Sequence, residues 1–126
     1  PNDDFANRIA IPASECLSVV TGSNLSASKE AGEPIHAGRP DGRSVWWSWT
    51  APASSTYWLS METEEDAQFT LAIYTGSVVS GLYPVARSWS SSSSSTLPLS
   101  ATAGITYALA VDSPSRPGAL RLRIRQ

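Results

Sequence analysis

The segment Ser44-Val45-Trp46-Trp47-Ser48-Trp49-Thr50 carries three tryptophans within four positions. No other stretch constrains the fold as strongly. Its small polar residues alternate with large apolar ones, as in a β-strand, whose successive side chains point to opposite faces. Val45, Trp47 and Trp49 then share one face and read as core. Ser44, Trp46, Ser48 and Thr50 share the other, which sets one indole among small polar side chains.

The same period of two recurs along the chain. Strands are expected at 18–21, 44–50, 56–61, 70–74, 83–89, 96–100, 106–111 and 119–125, divided by Gly, Pro, Ser and Asn. Short strands at this spacing are the pattern of an all-β, jelly-roll-like antiparallel β-sandwich of about eight strands. The expected core is Val45, Trp47, Trp49, Tyr57, Leu59, Leu71, Ile73, Leu109, Val111, Leu120, Leu122 and Ile124. No long segment carries a helical apolar period. A turn or two of helix is expected at 3–9, with Asn2 or Asp3 as its cap. The six serines at 90–95 offer nothing to pack and read as a mobile hairpin tip.

With 126 residues the chain is expected to form a single sandwich module over 1–126. It starts at Pro1 rather than Met, which reads as a piece cut from a longer precursor. The formal charge of −2 offers no basic excess for a phosphate backbone, so nucleic acid is not an expected partner. No apolar run reaches the length of a membrane span, so no membrane partner is expected either. Cys16 is the only cysteine, which excludes an internal disulfide and reads as a small core hydrophobe.

Several segments, taken in order, resemble one family. They are Asn2-Asp3-Asp4-Phe5-Ala6-Asn7, Thr21-Gly22-Ser23-Asn24, the stretch from Lys29 to Gly38 with its Glu33-Pro34-Ile35-His36 core, Ser44 to Pro52, Leu71-Ala72-Ile73-Tyr74-Thr75-Gly76, and Ala103 to Asp112. Together they look like the bacterial pre-peptidase C-terminal-like domains. The resemblance implies a non-catalytic β-sandwich that serves as an accessory module, covalently linked to secreted peptidases, glycosidases or adhesins. Some relatives hold calcium through an acidic N-terminal segment. This chain departs from the pattern at Ala67-Gln68-Phe69 and at Ser88-Trp89-Ser90, where acidic positions of the family are missing.

Three constellations could carry chemistry. The first is aromatic. In the next strand Tyr57, Leu59 and Met61 alternate with Thr56, Trp58 and Ser60. If the two strands form a hairpin with matched core faces, Trp49 lies opposite Tyr57, and Trp46 and Trp58 become diagonal neighbours outside, at ~7 Å. Indoles so placed form a platform for sugar rings, with Trp89 as a third contact. The alternative is that the 22–43 connection covers that face and both rings are core.

The second constellation is a metal site. Asp3, Glu30 and Glu33, with Asn2, Asp4, His36 and Asp41 nearby in sequence, supply oxygens that suit calcium, or else they hold a long loop in place. The third is the acidic run Glu62, Glu64, Glu65 and Asp66, which reads as a solvated turn rather than a catalytic carboxylate pair. Arg121, Arg123 and Arg125 alternate with Leu120, Leu122 and Ile124 and read as a solvated face. The expected function is therefore binding, not catalysis. The chain reads as an extracellular module that holds a linked enzyme on polysaccharide by raising its effective concentration. The alternative is a structural or adhesive spacer, stabilised by calcium, that binds protein or neighbouring modules.

Overall fold

The computed structural model describes residues 5–12, 17–23, 44–63, 69–90, 94–112 and 119–125. After a 3-10 turn at Phe5–Asn7 come nine strands. They are β1 (Ile9–Ala10), β2 (Leu17–Ser23), β3 (Ser44–Thr50), β4 (Ser55–Thr63), β5 (Phe69–Thr75), β6 (Tyr83–Ser90), β7 (Ser94–Ala101), β8 (Thr106–Asp112) and β9 (Ala119–Arg125). A second 3-10 turn, Val79–Gly81, precedes β6. All eight expected strands are present, two with the expected bounds and six longer by one to three residues. The two-residue β1 was not anticipated; it pairs parallel to β3, with Ile9 beside Trp47. Among the described residues no helix is long and apolar enough to cross a membrane.

The strands form two sheets, ordered β1-β3-β8-β5-β6 and β2-β9-β4-β7. Apart from the parallel β1, every pairing is antiparallel. Leaving β1 aside, this is the eight-strand jelly-roll order. In it the chain changes sheet at almost every connection, and only β5 and β6 are consecutive strands of one sheet. Sheets built this way bury their inner faces against each other.

The inner core is the expected one. Val45, Trp47 and Trp49 of β3 meet Tyr57, Leu59 and Met61 of β4, with Leu71, Ile73, Leu99, Tyr107, Leu109, Val111, Leu122 and Ile124 around them. Leu120 was also expected here, but its side chain lies outside the described residues. Trp49 stands edge-on to Tyr57 with ring centroids 4.8 Å apart, a favoured aromatic geometry.

Two expectations about connections fail. β3 and β4 do not form a hairpin: β3 pairs with β8, and β4 pairs with β7 and β9. The short link between them crosses from one sheet to the other. It is tied to the turn before β8, where the Ala51 N–H donates to the Ile105 carbonyl and the Gly104 N–H donates to the Ala51 carbonyl. The Ala103 N–H donates to Ser54 Oγ. Gly104 has φ of 81°, which the third position of a type II turn requires. Trp49 and Tyr57 do oppose each other, but across the core rather than across a ladder. The serine run is not a hairpin tip either. Ser90 ends β6 and Ser94 opens β7, and these strands belong to different sheets.

Because Trp49 joins the two sheets, Trp49→Ala is expected to lower stability by about 3–5 kcal/mol. Chemical denaturation followed by far-UV circular dichroism measures this.

Candidate functional site

The two sheets differ on their outer faces, and the difference decides where a ligand could sit. On the β1-β3-β8-β5-β6 sheet the outer face is largely covered. Trp46, Ala110 and Ala72 lie side by side on β3, β8 and β5. The two alanines make a low floor beside the indole, and the space above the sheet is filled from outside. Phe5 stands edge-on to Trp46 at 5.2 Å between centroids, and Tyr74 lies 6.0 Å away. Arg8 holds Phe5 in place, with its guanidinium carbon 4.1 Å from the ring centroid and Nη1 donating to the Phe5 carbonyl at 2.9 Å. Val79 and Leu82 pack against the same cluster.

Trp46 is therefore 0% exposed. This corrects the sequence reading, which set Trp46 on an open ligand platform. The 3-10 turn around Phe5 covers it, and the 22–43 connection proposed as the alternative cover lies almost wholly outside the described residues.

Toward one end of this face a polar row is fully buried. Ser44, Asp112 and Thr70 stand in register on β3, β8 and β5, each at 0% exposure. Neither Ser44 nor Asp112 is without a partner. Thr70 Oγ1 finds no hydrogen-bond partner among the described residues. Toward the other end the face opens to solvent, where the Thr50 and Thr106 hydroxyls share a hydrogen bond of 2.7 Å.

The outer face of the β2-β9-β4-β7 sheet is solvated. Its residues form three rows across the strands. Arg125, Trp58 and Pro98 make the first; Val19, Arg123, Ser60 and Thr96 the second; Thr21, Arg121 and Glu62 the third. Neighbouring strands are ~4.8 Å apart, and the span from Trp58 to Glu62 along β4 is ~13 Å. Trp58 is 42% exposed, the only tryptophan with an exposed side chain among the described residues. Arg125 and Pro98 are its strand neighbours, so the residue stands in the middle of a sheet rather than on a loop.

Ser60 Oγ and Thr96 Oγ1 share a hydrogen bond of 3.4 Å in the second row. Glu62 receives Arg123 Nη1 at 3.6 Å and Arg121 Nη1 at 3.9 Å. These are exposed ion pairs, each contributing ~0–1 kcal/mol. Arg125 makes no ion pair or side-chain hydrogen bond among the described residues.

The expected aromatic trio is thus dispersed. Trp46 and Trp58 lie on the outer faces of different sheets and cannot form one platform. Trp89 sits in β6, where it pairs with Thr70 at the far edge of the covered sheet, and its side chain lies outside the described residues. Asp3, Glu30 and Glu33, the expected calcium ligands, also lie outside them. Among the described residues no group of three or more His, Cys, Asp or Glu comes together. Of the acidic run, Glu62 faces outward beside two arginines, and the other three acids fall outside the described residues.

Sequence reasoning missed that Arg125 is the strand neighbour of Trp58. The alternation of β9 put the arginines outside, but the register of β9 on β4 depends on the whole topology. It also missed the buried row of Ser44, Thr70 and Asp112.

Two outcomes follow. Trp46→Ala is expected to cost about 3–5 kcal/mol of stability, whereas Trp58→Ala should cost under about 1 kcal/mol, because a half-exposed ring leaves little cavity behind. Urea denaturation of both variants checks this. Thr70→Val removes a buried hydroxyl without a partner at nearly constant shape, so it should leave stability unchanged or raise it by about 1–2 kcal/mol in the same assay.

No family model and no curated protein matches this chain by sequence. Solved structures do match in shape. The pre-peptidase C-terminal domain of a collagenase from Bacillus anthracis superposes with a TM-score of 0.59 at 15% identity, covering 94% of this chain and 93% of that one. PliG, a periplasmic inhibitor of g-type lysozyme from Aeromonas hydrophila, gives a TM-score of 0.59 at 9% identity, covering 94% of each chain. CorA, a surface-associated copper-binding protein from Methylomicrobium album, gives 0.61 at 7% identity, covering 94% of this chain and 96% of that one. Identities this low establish a shared fold and leave the ligand open. The chain has the β-sandwich fold of pre-peptidase C-terminal domains, the fold its ordered motifs resemble.

Proposed function

We propose that this chain is a non-catalytic, extracellular carbohydrate-binding module and that its ligand lies on the solvated face of β9, β4 and β7. One observation carries the reading: Trp58 is exposed on a rigid sheet face, among side chains that hydrogen-bond to sugar hydroxyls. The C–H face of a sugar ring is apolar and stacks on an indole. Ser60 and Thr96 stand where they can reach the hydroxyls around it.

The sheet holds these groups in place before any ligand arrives, so little entropy is lost in ordering them. A module of this kind acts by tethering. The Bacillus anthracis domain belongs to a collagenase, and a linked catalytic unit is the context we propose for this chain as well. Bound to an insoluble polymer, the module would keep such a unit at high effective concentration on its substrate.

The test is retention of the purified chain on a panel of insoluble polysaccharides, with collagen as the protein control. Trp58→Ala should lose about 2 kcal/mol of affinity while its melting temperature stays close to that of the parent. Retention on a polysaccharide that Trp58→Ala leaves unchanged would overturn this site. Retention on collagen alone would favour the adhesive alternative.

A further inference from the structure

We propose that the preferred ligand of this face is an acidic polysaccharide, whose uronate carboxylate is held by Arg125 while its ring lies on Trp58. The inference rests on the carbohydrate-binding reading above and adds the chemical class of the sugar. Three features of the face carry it.

The first is charge. Among the described residues this face carries Arg121, Arg123 and Arg125 against the single carboxylate of Glu62. Its net charge is +2, on a chain whose formal charge is −2. Three of the chain's nine Lys and Arg residues thus stand together on one strand face. Such a local cationic patch attracts a polyanion.

The second is the division of labour among the arginines. Arg121 and Arg123 both lean on Glu62, which neutralises part of their charge and fixes their position. Arg125 has no such partner among the described residues, and it is exposed. Among the described residues its guanidinium donors are therefore open to a ligand. A planar guanidinium matches a carboxylate through two parallel hydrogen bonds, which fixes orientation as well as charge.

The third is position. Arg125 is the cross-strand partner of Trp58, so an exposed cation and the exposed ring are nearest neighbours in one row. A uronate presents a ring face and a carboxylate on the same residue. Arg123 and Arg121 continue the cationic line along β9, two residues apart, parallel to the row Trp58, Ser60 and Glu62 on β4. Successive residues of an acidic polymer would find charge along this line. A neutral glucan would engage Trp58 but leave Arg125 unused.

Nucleic acid, another polyanion, could meet the cationic line but has no reason to depend on Trp58 in preference to Arg125. The acidity of the whole chain further disfavours it.

The experiment is calorimetric titration of the intact chain with polygalacturonate and with its fully methyl-esterified form, which share a backbone and differ in charge. The acid form should bind at least tenfold more tightly, and the difference should shrink as salt is raised. Arg125→Gln should weaken binding of the acid form and so abolish most of the preference. Glu62→Gln frees Arg121 and Arg123 and should strengthen binding of the acid form several-fold. A merely structural Glu62 would not do that. Trp58→Ala should weaken both ligands.

Equal binding of both forms, with loss at Trp58→Ala, would overturn the acidic preference and leave the carbohydrate site standing. Binding of neither form, or binding of both that Trp58→Ala leaves intact, would overturn the proposal together with the site. A duplex DNA control bound as tightly as polygalacturonate, and weakened by Arg125→Gln but not by Trp58→Ala, would reduce the face to a non-specific ion exchanger and overturn the proposal. Circular dichroism of each variant separates lost binding from lost fold.

Discussion

β8 has no solvated face along most of its length, and much of the molecule's organisation follows from that. Tyr107, Leu109 and Val111 point into the sandwich, while Ala108 and Ala110 lie under the packing of Trp46 and Tyr74. A strand buried on both sides needs small residues where another layer comes close, and the alanines meet that need. Phe5, Val79 and Leu82 then close the outer surface. One sheet is left to meet water with a full face, and on it the chain places its exposed tryptophan and its row of arginines.

This asymmetry orders the tryptophans. Four of the five belong to described side chains, and three of those, Trp46, Trp47 and Trp49, are buried in a single strand. They project alternately into two separate cores, one between the sheets and one outside the first sheet. A strand so loaded joins the inner sandwich to its outer cover. The 3-10 turn at Phe5–Asn7 becomes part of the packing through Phe5 and the Arg8 guanidinium above it.

The strands and the inner core could be read from the sequence because they depend on local alternation. Trp47, Trp49, Tyr57 and Leu59 are inward for the same reason that Ser48 and Trp58 are not. Trp46 could not be placed by alternation alone. Its parity is that of an outer residue, and it is an outer residue; what buries it is a segment far away in the chain. A signal for that burial does exist. β5 and β8 read as near-continuous apolar runs, Leu71-Ala72-Ile73-Tyr74 and Tyr107-Ala108-Leu109-Ala110-Val111, the pattern of strands covered on both faces. β4 and β9 alternate strictly with polar and charged residues, as strands with one wet face do. Comparing the two pairs separates the covered sheet from the open one. The hairpin assigned to β3 and β4 failed for a different reason. A short Pro-containing link serves equally well to turn within a sheet or to cross between sheets, and only the pairing of β8 with β3 decides which.

The account makes Trp58 the ligand-facing indole and Trp46 a packing residue, although both have the parity of outer side chains. Nuclear magnetic resonance of the indole N–H groups, followed during titration with an acidic oligosaccharide, tests that assignment directly. The Trp58 indole, identified by its loss in Trp58→Ala, should shift progressively and saturate, while those of Trp46, Trp47 and Trp49 stay in place. A saturating shift at Trp46 with none at Trp58 would contradict the account and move the ligand to the opposite sheet.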